Sequence, residues 1–147
     1  MRVGPTLDKV LLDYPNDVRI VYMMHPLPMH PQAAGAAEAA MSAHAQGKFF
    51  EMNKALLENS GKLTREKLIE LATQIGLDLK KFTSDLDTNA HKAEIDRQTQ
   101  EAMKLGASGT PAQFVNGRYL PGAQPYEGFK KLIDEELAKL KTAPKGT

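Results

Sequence analysis

The side chains that could do chemistry in this 147-residue chain are four histidines and eighteen carboxylates, with no cysteine among them. That absence excludes a thiol nucleophile, a thiolate metal site and a disulfide framework. His25, His30, His44 and His91 stand 5, 14 and 47 residues apart. This spacing matches no compact ligand pattern, and no carboxylate accompanies a helical His pair, so neither a metal nor a cofactor is expected. The sequence holds no Ser-His-Asp arrangement, no paired-carboxylate signature, no P-loop and no dinucleotide fingerprint. One stretch stands apart from this background: Gly109-Thr110-Pro111-Ala112-Gln113-Phe114-Val115-Asn116-Gly117-Arg118. It reads as a turn feeding a short apolar strand, followed by a tight hairpin at Asn116-Gly117. A proline directly before a strand, with a small β-branched residue in front of it, is a site suited to a cis peptide bond.

The elements around this stretch follow from periodicity and punctuation. Val3, Leu7, Val10, Leu11 and Tyr14 share one helical face, with Pro5 admitted in a first turn or at a kink. Val18–Met24 is apolar almost throughout and rich in β-branched residues, which predicts a strand buried on both faces. His25–Pro31 is an extended, proline-stiffened connector rather than a polyproline ligand. Residues 32–105 carry helical cues throughout. Ala33–Ala45 is a small-residue helix built for close packing, and Gly47 ends it. Phe49–Leu57 forms an apolar stripe. Thr64 caps a helix over Arg65–Ile75, Asp78 caps one through Leu86, and Asn89 or a neighbour starts another through Leu105. His30 is expected to cap or pack at the start of the alanine helix, and His44 and His91 to lie on helix surfaces. Strands over 112–115 and 118–121 flank Asn116-Gly117, and Tyr126, Phe129, Leu132, Ile133, Leu137 and Leu140 make a final amphipathic helix.

Composition narrows the class. Hydrophobic residues are 41% and charged residues 25%, ordinary for a globular domain with its own core. A net charge of +1 gives no reason to invoke nucleic acid or an anionic membrane as partner. No run of about 18 apolar residues spans a bilayer, and Met1–Pro5 lacks the apolar core of a signal peptide.

The order helix, strand, several helices, strand, strand, helix resembles the DsbA-like branch of the thioredoxin fold, the thiol-disulfide oxidoreductases. Val18–His30 resembles that family's second core strand and the Pro-Leu-Pro-x-His connection after it. Gln46-Gly47-Lys48-Phe49-Phe50-Glu51-Met52 resembles the Gln-Gly-Lys-Phe-Trp-Glu-Met stretch of its helical insertion. Gly109–Gly117 resembles its cis-proline loop and hairpin, and Gly122-Ala123-Gln124-Pro125 the entry to its last helix. The resemblance implies an α/β thioredoxin-like fold of DsbA type. Residues 1–31 and 107–147 would form an incomplete core and 32–106 a helical insertion. It also implies that Arg2–Leu7 follows closely on the family's Cys-x-x-Cys motif. The first core strand and both cysteines then lie outside this sequence, and Pro5 corresponds to the proline of the active-site helix.

Several expectations follow from that likeness. Thiol-disulfide exchange needs an attacking thiolate, so this chain alone is expected to be redox-inactive and to have no catalytic residue. Thr110 and Pro111 are the substrate-binding candidates, Pro111 as the cis-proline and Thr110 offering backbone groups to an extended peptide or protein substrate. Missing a central strand leaves two inner edges unpaired. The sheet is then expected either to close up or to be completed by a homodimer. The family's setting implies a periplasmic or extracytoplasmic place in a bacterium. Two other readings stay open: a peptide-binding or chaperone-like module without catalysis, and the glutathione transferase kappa and chromene-carboxylate isomerase branch, which uses Ser in place of the first Cys.

Overall fold

A computed structural model describes residues 3–142, with the side chain of Thr142 left aside. The chain divides into two compact units, one of residues up to Tyr22 together with those from Ala107 onward, the other Met23–Gly106.

The first unit holds α1 (Gly4–Asp13), β1 (Ala112–Val115), β2 (Arg118–Pro121) and α7 (Tyr126–Thr142). Pro5 lies in the first turn of α1, where the amide it lacks has no helical partner to lose. Val3, Val10 and Tyr14 pack against Phe129 and Ile133 of α7, with Leu7, Val18, Val115 and Leu120 around them. Asn116 and Gly117 both take positive φ, 47° and 83°. This is the conformation a two-residue hairpin turn needs, and Asn and Gly reach it with least strain.

The second unit is all helical: α2 (Ala33–His44), α3 (Phe49–Glu58), α4 (Arg65–Gln74), α5 (Leu79–Thr88) and α6 (Lys92–Lys104). Its core sets Met52, Leu56, Leu68, Leu71, Leu77 and Phe82 against Ala39, Ala40 and Ala43. The alanines let α2 approach its neighbours closely. The Thr64 hydroxyl accepts from the Lys67 amide at 3.3 Å and the Asp78 carboxylate from the Lys81 amide at 3.0 Å, so the expected caps start α4 and α5. The Gln46-Gly47-Lys48 stretch serves this packing. Gln46 accepts from the Asp78 amide at 2.8 Å and donates back to the Asp78 carbonyl at 3.4 Å. Lys48 Nζ donates to the Ile75 carbonyl at 2.6 Å, closing the C-terminus of α4 where Gly76 turns at φ 72°.

Three expectations are corrected. Val18–Met24 forms no strand: among the described residues the sheet has two strands, β1 and β2. The segment carries no regular secondary structure, and Val21 is 67% exposed where burial on both faces was expected. Its end is held by side chains instead of a ladder, the Met24 amide donating to Gln98 Oε1 at 2.7 Å and Thr99 Oγ1 to the Met24 carbonyl at 3.4 Å. Asn89 ends α5 at φ 49° instead of starting α6, because Asn tolerates the left-handed region as well as it caps. His91 lies just ahead of α6, half-buried, instead of on a helix surface. At the start of α2 the His30 carbonyl accepts from the Ala33 amide at 2.9 Å.

Candidate functional site: the outer edge of the hairpin

Ala107 is buried, and from it the chain turns outward to Thr110 and Pro111, both exposed, joined by a cis peptide bond. β1 begins at the next residue. It pairs antiparallel with β2 in the register Ala112–Pro121, Gln113–Leu120, Phe114–Tyr119 and Val115–Arg118. A two-residue turn makes Val115–Arg118 a hydrogen-bonded pair, and pairs alternate from there. Gln113 and Val115 therefore direct their backbone groups at β2. Ala112 and Phe114 direct theirs away, along an edge that no strand covers among the described residues. Pro121 falls opposite Ala112 in a non-bonded pair, the position where a missing N–H leaves no gap in the ladder. Phe114 and Tyr119 occupy the closer-spaced non-bonded pair, their ring centroids 5.1 Å apart.

The hairpin is held onto α7 through one face, the side that Val115, Arg118 and Leu120 share. Leu120 and Val115 rest on the α1–α7 cluster. Arg118 reaches Glu135 at 2.5 Å and Glu136 at 3.4 Å, and its guanidinium holds the Glu135 carboxyl below the usual carboxylate range. Beneath, α1 and α7 are tied by two matching groups. The Tyr14 hydroxyl donates to Asp134 at 2.6 Å, and Lys130 reaches the same carboxylate at 2.5 Å. The Tyr126 hydroxyl donates to Asp13, which also meets Lys9 at 2.7 Å, and Lys9 Nζ sits 4.3 Å from the Tyr126 ring centre. The hydrogen bond to Asp13 pushes the Tyr126 hydroxyl up to about 12. Hydrogen bonds from Lys130 and Tyr14 lower Asp134, and those from Lys9 and Tyr126 lower Asp13.

These depressed carboxylates set a pH dependence. A carboxyl whose pKa is lower folded than unfolded adds stability above its unfolded value, lost as pH falls through the folded one. Thermal melts of the chain and of Tyr14→Phe are therefore expected to differ at neutral pH and to converge once pH drops below about 4. A gap unchanged at pH 2 to 3 assigns the Tyr14 hydroxyl no role in holding Asp134 ionised.

A second polar cluster lies within the helical unit. Glu38, buried in α2, accepts from the His91 amide at 2.6 Å. Asp85, also buried, meets Lys81 at 2.8 Å and the His91 ring at 3.5 Å. Burial pushes the Asp85 carboxyl up, but the hydrogen bond and charge of Lys81, with His91, outweigh it and leave it lowered. The cluster clasps the α5–α6 corner. No group of three or more His, Asp or Glu side chains could hold a metal ion among the described residues.

Sequence reasoning named Thr110 and Pro111 but not Ala112 and Phe114, whose backbone groups form the open edge. Their signal was present, since a two-residue turn fixes the parity of every pair beyond it.

Comparisons place these features among known proteins. The family model of the DSBA-like thioredoxin domain matches residues 7–134. The Na(+)/H(+) antiporter NhaA 3 of Salinispora tropica is 34% identical over 143 residues, covering 97% of this chain and 22% of that protein. NhaA of Herminiimonas arsenicoxydans is 35% identical over 116 residues, 79% of this chain and 18% of its own. The chain thus spans about a fifth of the length of these curated relatives. Among solved structures, a thioredoxin-like oxidoreductase from Silicibacter pomeroyi superposes with a TM-score of 0.78 at 29% identity, covering 91% of this chain and 78% of that one. The thiol-disulfide exchange protein alpha-DsbA2 from Wolbachia pipientis shares the fold at a TM-score of 0.77 and 22% identity, over 90% of this chain and 72% of its own.

Proposed function

The chain belongs to the DSBA-like thioredoxin domain family, and from that premise we propose that it is a redox-inactive body of that fold whose remaining activity is to hold extended polypeptide. The observation that carries this reading is the conjunction of a family match over most of the chain with a cysteine count of zero. Exchange requires a thiolate to attack a sulfur, and no other side chain substitutes for it. What remains is a set of backbone groups beside Thr110–Pro111 and along Ala112 and Phe114, arranged for strand addition. The same edge supports self-association. The helical residues 32–106 are, in this reading, an insertion in the sequence of this core. An extracytoplasmic place, in keeping with the family's setting, belongs to the same proposal.

We assign no ion transport to this stretch. No described helix is long and apolar enough to cross a membrane.

The test is an insulin-reduction assay with dithiothreitol, in which the chain alone is expected to give no rate above buffer; measurable turnover overturns the reading of its chemistry. In parallel, an alternating Thr-Val heptapeptide should shift the amide resonances of Thr110, Ala112 and Phe114. Shifts scattered elsewhere with these three unmoved remove the edge as the binding surface.

A further inference from the structure

We propose that the occupant of the β1 edge is the Val18–Val21 segment of a second copy of this chain, given reciprocally so that two ladders join a symmetric dimer. The proposal rests on the reading of β1 as an edge that accepts an extended strand, and it names the partner.

Each molecule carries both halves of a ladder and joins neither. β1 presents the outward groups of Ala112 and Phe114. Val18–Val21 belongs to no helix and no sheet, and it is β-branched at Val18, Ile20 and Val21. A strand of that composition is stable only beside another. Val21, an apolar side chain, is 67% exposed. Val18 packs on the same α1–α7 cluster as Val115 and Leu120, so segment and hairpin rest on one helical layer with no ladder between them. Neither β1 nor Val18–Val21 holds an acidic residue, and Arg19 is the single charge across both, so no like charges meet when they pair. One acceptor edge and one donor strand per copy make the contact self-complementary under a two-fold axis, which closes at two copies.

The cysteine-free sequence makes the test direct. Val21→Cys and Ala112→Cys are prepared separately, mixed in equal amounts and treated with a short bis-maleimide. Random encounter makes half of the covalent dimers mixed; the proposal expects mixed dimers well above half. Light scattering should show a dimer for the unmodified chain at high micromolar concentration. Val21→Pro, which removes a ladder donor at an exposed position, should shift it to monomer, and Val21→Thr, which keeps the N–H, should not. A monomer at every concentration, or mixed cross-links at or below half, overturns the proposal. So does a doubly substituted chain that cross-links within itself at high dilution. If the Thr-Val heptapeptide still shifts Ala112 and Phe114 in those cases, the edge reading survives and only the partner is wrong; if it does not, both fall.

Discussion

Phe82→Ala is expected to lower the unfolding free energy by about 3–5 kcal/mol, as large→small changes at buried aromatic positions do. Phe82 has no exposed surface and lies in the cluster with Met52, Leu71 and the α2 alanines. The loss has two parts: the transfer of the ring from water and the cavity left behind. The second part is large when neighbours cannot move into the hole. Ala39, Ala40 and Ala43 end at Cβ and have nothing to extend, so α2 itself would have to shift. The expectation therefore sits toward the upper part of the range. Since a domain's whole stability is about 5–15 kcal/mol, the substitution removes a large share of it. Urea unfolding followed by far-ultraviolet circular dichroism reads the change. A loss under about 1 kcal/mol takes Phe82 out of the core, because surface positions rarely exceed half of that.

Phe129→Ala is expected to act with similar size, about 3–5 kcal/mol, on the other unit. Phe129 is almost wholly buried between Val3, Val10, Tyr14 and Ile133, with Val115 and Leu120 against the same cluster. Removing the ring takes away the surface on which the hairpin rests. A two-stranded hairpin is marginal by itself in water. The amides of Val115 and Arg118, bonded to each other across the ladder, should therefore exchange hydrogen with solvent far faster in the variant. Hydrogen exchange resolved by residue gives the result. Unchanged protection at Val115 and Arg118 means that the hairpin is carried by Arg118 and its two glutamates instead of by the apolar contact.

What could be read from residues alone was what neighbouring residues decide. Thr64 and Asp78 start helices because each side chain meets an amide three positions on. Asn116-Gly117 makes a turn because both reach positive φ. Val18–Met24 failed for the opposite reason. β-branched composition reports that a segment would sit well in a sheet, not that a neighbour is there to pair with it. Asn89 was ambiguous by nature, since the side chain that caps one helix also permits the turn that ends another. Glu38 sits in an alanine-rich helix and gives no local hint of burial; its partner is the amide of His91, 53 positions away. At the candidate site the positions of Thr110 and Pro111, and the parity of Ala112 and Phe114, were accessible from the turn. The two tyrosine–aspartate ties between α1 and α7 were not, because they join residues more than a hundred positions apart.

The shortness of β1 sets how long anything stays bound to it. The strand has four residues, and two of them offer outward groups, so an added strand gains at most a handful of hydrogen bonds. At about 1 kcal/mol net for each bond the total corresponds to a dissociation constant near 1 mM. A lone peptide therefore arrives and departs quickly. Lasting residence requires a second foothold, either a twin ladder closing at the same moment or a tether that raises the local concentration of the strand.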